Sequence, residues 1–224
     1  MENKDFKDFL LLKNQEYLQK NDVEILNDLD QNRKELLLKI SNFMNEKMTE
    51  EERKTISEDD LINLIKNNLV VRSFFRKDPT KQSIHENTQF EWIKNNKYID
   101  LIKLPASRKG LYFHNFELTT KTPRPENSTK TIDGFVKSLK IYCIFKFSTT
   151  SGGAQDNQFN DVKNFITQII GFYSNKTDAD EIFEFYLDGD YYTNEKKHRL
   201  ELMIPNGLHK KIVISSAMSV KRKI

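Results

Sequence analysis

The sequence predicts an α/β protein: a mixed central β-sheet flanked by helices, with a helical N-terminal region. Three observations predict it. Residues 1–78 contain neither Gly nor Pro, so nothing there interrupts helical hydrogen bonding. From Gly110 onward, short runs rich in aromatic and β-branched residues are separated by turn residues. Between two of these runs lies a long stretch whose apolar residues recur at spacings of three and four.

The elements follow in order. Phe6, Phe9 and Leu10, then Leu36, Leu37, Ile40, Phe43 and Met44, recur at helical spacing. Ser57 followed by Glu58, Asp59 and Asp60 reads as an N-cap and an acidic first turn, opening a helix with Leu61, Leu64, Ile65 and Leu69. After Pro79 the texture changes, and Ser83–Lys97 predicts one more helix. Strands are expected over 110–114, 116–120, 131–136 and 140–147. A polar, glycine-containing loop, Ser148–Asn157, leads into a helix carrying Val162, Phe165, Ile166, Ile169, Ile170 and Tyr173. Further strands are expected over 181–187 and 211–215. The expected division is a helical region over 1–78, a scaffold or dimerisation element, and an α/β core over 79–224.

Composition removes several classes. Of 224 residues 37% are hydrophobic and 31% charged, so the core must be filled by Ile, Leu and the 16 Phe. No apolar run approaches the roughly 18 residues of a membrane span. The start of the chain is charged on both signs with no apolar segment behind it, so no signal peptide is expected. One cysteine, Cys143, excludes a disulfide framework and a multi-cysteine zinc site, and the expected compartment is a reducing cytoplasm. Residues 1–78 carry 14 Lys and Arg against 17 Asp and Glu, whereas residues 79–224 carry 22 against 16. A basic half suits a nucleic-acid partner, although a general enrichment in Lys and Asn accounts for the same numbers.

Four segments carry candidate chemistry. Lys146 is the one charge in the apolar run Ile141–Phe147. Strand alternation puts it on one face with Tyr142 and Ile144, opposite Cys143 and Phe145. The plain alternative is a strand-end lysine reaching solvent. Asp133, followed by Gly134, lies one hairpin earlier, so pairing of the two strands would bring it to the same sheet edge; the plain alternative is a turn aspartate. The loop Ser151-Gly152-Gly153 runs into a helix start bearing Gln155, Asp156 and Gln158, where backbone N–H groups can receive a phosphate. Gln82 and Glu86 lie one turn apart on the helix after Pro79, as an ordinary solvated face also would. Asp188-Gly-Asp190 has the form of a sugar-nucleotide metal motif, but an Asp-Gly exit from a strand is a common turn. His85, His114, His198 and His209 are scattered, and no nucleophile–base pairing is legible.

Taken together, these segments resemble the PD-(D/E)XK nucleases, and more narrowly the type II restriction endonucleases. Gln82–Glu86 resembles the first helix, Thr131–Asp133 the aspartate strand, and Ile144-Phe145-Lys146 the (D/E)-x-Lys tripeptide. Residues 151–158 resemble the following loop and helix, and Phe185–Tyr191 the next strand; the likeness covers roughly residues 76–215. The resemblance implies a restriction-endonuclease-like sheet and Mg²⁺-dependent hydrolysis of double-stranded DNA by a homodimer with a cognate methyltransferase. It assigns catalysis to Asp133, Lys146, Glu86 and Gln155. Metal ligation would fall to Asp133, Glu86, the Phe145 carbonyl and Asp156. DNA contacts would fall to Arg108, Lys109, Arg124, Ser151, Gly152, Gly153, Gln158 and Tyr191. One departure stands out: the tripeptide begins with Ile144, which cannot ligate a metal. Either another acid, Glu86 or Asp156 (with Glu117 a weaker choice), has moved into the site, or the chain is a binding module on the same fold.

Overall fold

A computed structural model describes residues 4–77, 83–106, 109–149 and 153–222. The chain divides into two compact units, Leu10–Ile84 and a second made of residues up to Phe9 together with His85–Ile224. The expected boundary at 78/79 therefore moves in two ways. The first turns of helix α1 (Lys4–Asp30) belong with the sheet, because Phe6 and Phe9 set their rings against Trp92, at 5.7 and 5.4 Å. At the other side the helical unit extends to Ile84.

The helical unit contains the rest of α1, α2 (Lys34–Lys47), α3 (Glu50–Thr55), α4 (Glu58–Asn67) and α5 (Leu69–Ser73). Ile25, Leu29, Leu36, Ile40, Leu61, Ile65 and Phe75 close its core. Its helix starts follow the sequence chemistry: Ser57 and Asp60 form a reciprocal capping box at α4, and Thr49 and Glu52 another at α3. Arg76 clasps Asp22 with two hydrogen bonds of 2.7 and 2.6 Å, both side chains largely buried.

The second unit is built on a five-stranded mixed sheet in the order β1 (Leu101–Lys103), β4 (Gly134–Val136), β5 (Ile141–Phe147), β6 (Ile182–Asp188), β7 (Ile212–Ser215). The pairs β1–β4 and β4–β5 are antiparallel, and β5–β6 and β6–β7 parallel. Alternation along β5 is as the sequence predicts. Ile144 enters the core under helix α7 (Gly153–Asn175), while Ile141, Cys143 and Phe145 face Trp92 and Ile93 of helix α6 (Ile84–Asn96). The mixed sheet flanked by helices is thus observed. Two expected strands, now β2 (Tyr112–His114) and β3 (Glu117–Thr119), pair among the described residues only with each other and lie against α7. There Gly171 admits the Phe116 ring, which would meet a Cβ at 2.2 Å. Strand β1 and helix α8 (Asn194–Glu201) carry too little apolar pattern to be read from the sequence: β1 has three residues, and α8 buries only Leu200.

Candidate active site at the carboxyl end of β5

The site begins where β4 runs out. Gly134 pairs with Cys143 of β5, and the Asp133 N–H still donates to the Cys143 carbonyl at 3.1 Å. The next ladder position on β5 is Phe145, whose N–H donates instead to Asp133 Oδ2 at 2.8 Å. The carboxylate thus stands in for the missing strand. In extended backbone the N–H and C=O of one residue point to the same edge, so the Phe145 carbonyl faces the Asp133 side as well. On the other flank the Asp133 carbonyl accepts from Leu104 N at 2.9 Å, tying it to β1.

Helix α6 brings the second acid. Its Gln89 is fully buried, and the side-chain amide donates to the Lys146 carbonyl (3.3 Å), the Tyr186 carbonyl (3.2 Å) and Asp188 Oδ2 (2.6 Å). That clamp docks α6 on the ends of β5 and β6. Glu86 lies one turn earlier on the same face. Its carboxylate reaches 4.0 Å from Lys146 Nζ, with the lysine side chain 13% and the glutamate 32% exposed. Glu86 and Lys146, two of the residues singled out from the sequence, are therefore neighbours in the fold. Burial raises the pKa of Glu86, opposed by Lys146 and reinforced by the charge of Asp133. Burial raises the pKa of Asp133 too, against the pull of Lys146, the Phe145 N–H and Lys103.

The remaining expected residues separate. Asp156 accepts a hydrogen bond from the Tyr191 hydroxyl at 2.6 Å, which pushes that phenol, already raised by burial, up to about 12. Among the described residues no three His, Cys, Asp or Glu side chains converge, so Asp156 does not complete a ligand set with Asp133 and Glu86. Tyr191, expected at the DNA, is buried with Lys196 Nζ over its ring, and its hydroxyl braces the first turn of α7 through Asp156. Glu117 is exposed on the separate ribbon, opposite His114, at the level of Gln168 rather than at the start of α7. Gln155 is half-buried in the first turn of α7, which Gly153 opens. Lys109 and Arg124 are exposed, with the Arg124 guanidinium 6.0 Å from the Tyr112 ring centre. Gln82, Arg108, Ser151 and Gly152 lie outside the described residues. Asp188 and Asp190 do not act as a pair: Asp188 is buried and bonded by Gln89, Ser216 and the Ala217 N–H, whereas Asp190 is exposed.

Three features escaped the sequence reading. Gln89 looked like one more polar helix residue. Lys103, at the end of β1, acts electrostatically on both carboxylates. The Tyr192 hydroxyl is buried without a hydrogen-bond partner among the described residues, like Oε1 of the expected DNA contact Gln158, and the Tyr192 phenol, raised by burial, also feels the charge of Glu86. Nothing in a single sequence separates these from ordinary residues of the same type. No protein-family model, curated protein or solved structure matches the chain.

Proposed function

We propose that the chain is a Mg²⁺-dependent endonuclease acting on double-stranded DNA, of the PD-(D/E)XK type and more narrowly a type II restriction enzyme. The observation that carries this reading is the convergence of Asp133, Glu86 and Lys146 at the open end of β5. The element order supports it: a helix bearing an acid, antiparallel strands meeting at an aspartate, a strand ending in lysine, a helix, and a parallel strand. The proposed setting is a cytoplasmic homodimer on a two-fold site, with a methyltransferase protecting host DNA.

The donor set fits the metal. Asp133 and Glu86 offer carboxylates and Phe145 a carbonyl, all hard oxygen donors. Mg²⁺ takes such ligands one or two carboxylates at a time, retaining waters and sharing substrate oxygens. Bound there, it would supply charge neutralisation at the scissile phosphate and leaving oxygen. Lys146, partly shielded and anchored through its own carbonyl by Gln89, holds the attacking water and a phosphate oxygen as a point charge. The Asp133 carboxylate is fixed by the Phe145 N–H, so its reach does not depend on a mobile side chain.

Ile144 favours a second reading, a non-cleaving DNA-binding module. Its side chain is fully buried beneath α7, so this position adds nothing to the site. Supercoiled plasmid incubated with and without Mg²⁺ separates the two. Discrete Mg²⁺-dependent fragments support the nuclease, and they disappear in Glu86→Gln while a gel shift persists. A shift with no cleavage under any divalent ion sinks the nuclease in favour of the binding module.

A further inference from the structure

The site contains a second lysine with a tether of its own. Lys103 is the last residue of the edge strand β1, with Gly134 as its register partner and Asp133 bonded to the next residue, Leu104. Its ammonium donates to Asn87 Oδ1 at 2.5 Å, and Asn87 follows Glu86 on α6. The lysine is therefore held between the elements that deliver the two acids. Its positive charge acts on both of them, yet among the described residues it forms no ion pair within 4.0 Å. The Lys146 side chain is largely covered, whereas Lys103 is exposed.

From this geometry we propose that Lys103 is the outer phosphate contact of the site, binding the DNA strand that lies across Asp133 and Glu86. The proposal rests on the nuclease reading and extends it. Two carboxylates and Lys146 alone carry a net negative charge, which repels an arriving phosphodiester. Lys103 brings the four groups to neutrality before any metal binds. An ammonium has three N–H donors, and Asn87 takes one. A lysine that merely blunts a sheet edge against aggregation would need neither the tether nor the neighbouring acids.

The test is binding to a mixed-sequence duplex over a salt series without Mg²⁺, alongside plasmid cleavage with it, for wild type, Lys103→Gln and Lys103→Arg. Lys137→Gln, in the turn after the far end of β4, is the control. Each phosphate contact adds about 0.9 to the slope of log affinity against log salt. Lys103→Gln is expected to lose about that amount, to cut more slowly, and to melt as wild type does. Lys103→Arg restores the slope, and Lys137→Gln leaves the cleavage rate unchanged. A Lys103→Gln protein with the wild-type slope and rate overturns the inference alone. A wild-type chain that neither binds nor cuts overturns the nuclease reading and the inference with it.

Discussion

Asp133 serves the backbone and the site with the same carboxylate, and the two uses can be separated by substitution. Asn keeps an acceptor for the Phe145 N–H but loses the charge. Burial raises the pKa of Asp133 and of Glu86. The folded chain thus holds protons that the unfolded chain has released, and stability falls with rising pH over that window. The window opens near the ordinary values of 3.8 and 4.5 and closes at the raised folded values. Asp133→Asn should therefore melt above wild type at neutral pH, with the gap closing as the pH drops below the ordinary carboxylate range. A melting series across pH checks this. Activity should move the other way: Asp133→Ala should cost about 10²-fold or more in Mg²⁺-dependent cleavage, and Lys146→Ala about 10²–10⁴-fold, both measured as single-turnover rates. If either variant cuts at the wild-type rate, it has no place in the site.

Elements explain which parts of this arrangement were legible. Strand β5 and helix α7 are long enough to display a full period: the two faces of β5 divide as its alternation predicts, and α7 buries Val162, Phe165, Ile166, Ile169 and Tyr173 as expected, with Phe159 and Phe172 added. Lys146 could be singled out because it interrupts such a strand. Lys103 could not: it is one of 36 Lys and Arg residues, on a strand of three residues whose last two are exposed. Glu86 was placed by resemblance alone, since its contact with Lys146 depends on how Gln89 docks α6, a tertiary event without a local signature. The turn after β6 provides a test of element geometry. Gly189 has φ +88°, and a Cβ there would lie 2.1 Å from the Ser148 carbonyl oxygen. Gly189→Ala should cost about 1–3 kcal/mol in denaturant unfolding and loosen the Tyr191–Tyr192 segment. Tyr192→Phe should do the reverse for stability, since it removes a buried hydroxyl with no partner among the described residues. A lower midpoint for that variant would mean the hydroxyl is bonded in solution.

At the scale of the molecule, the helical unit bears the assembly prediction. Leu64, Leu69, Val70 and Phe74 are 42–69% exposed on and just after α4 and α5, an apolar cluster of the kind that marks interfaces. A dimer is expected at micromolar concentration by sedimentation, and Val70→Lys with Phe74→Lys should make it a monomer. The sheet unit has a different distinguishing feature in Trp92, the chain's one tryptophan. The rings of Phe6 and Phe9 lie against it, and its indole N–H donates to the carbonyl of Val220 at 3.2 Å. Residues from near both ends of the chain thus close on a single fluorophore. Spectroscopically, the protein carries its own dye: Trp92 emission stays blue while both clasps hold and shifts red when either is released. Phe6→Ala should redden that emission under conditions where far-ultraviolet circular dichroism still reports an intact fold.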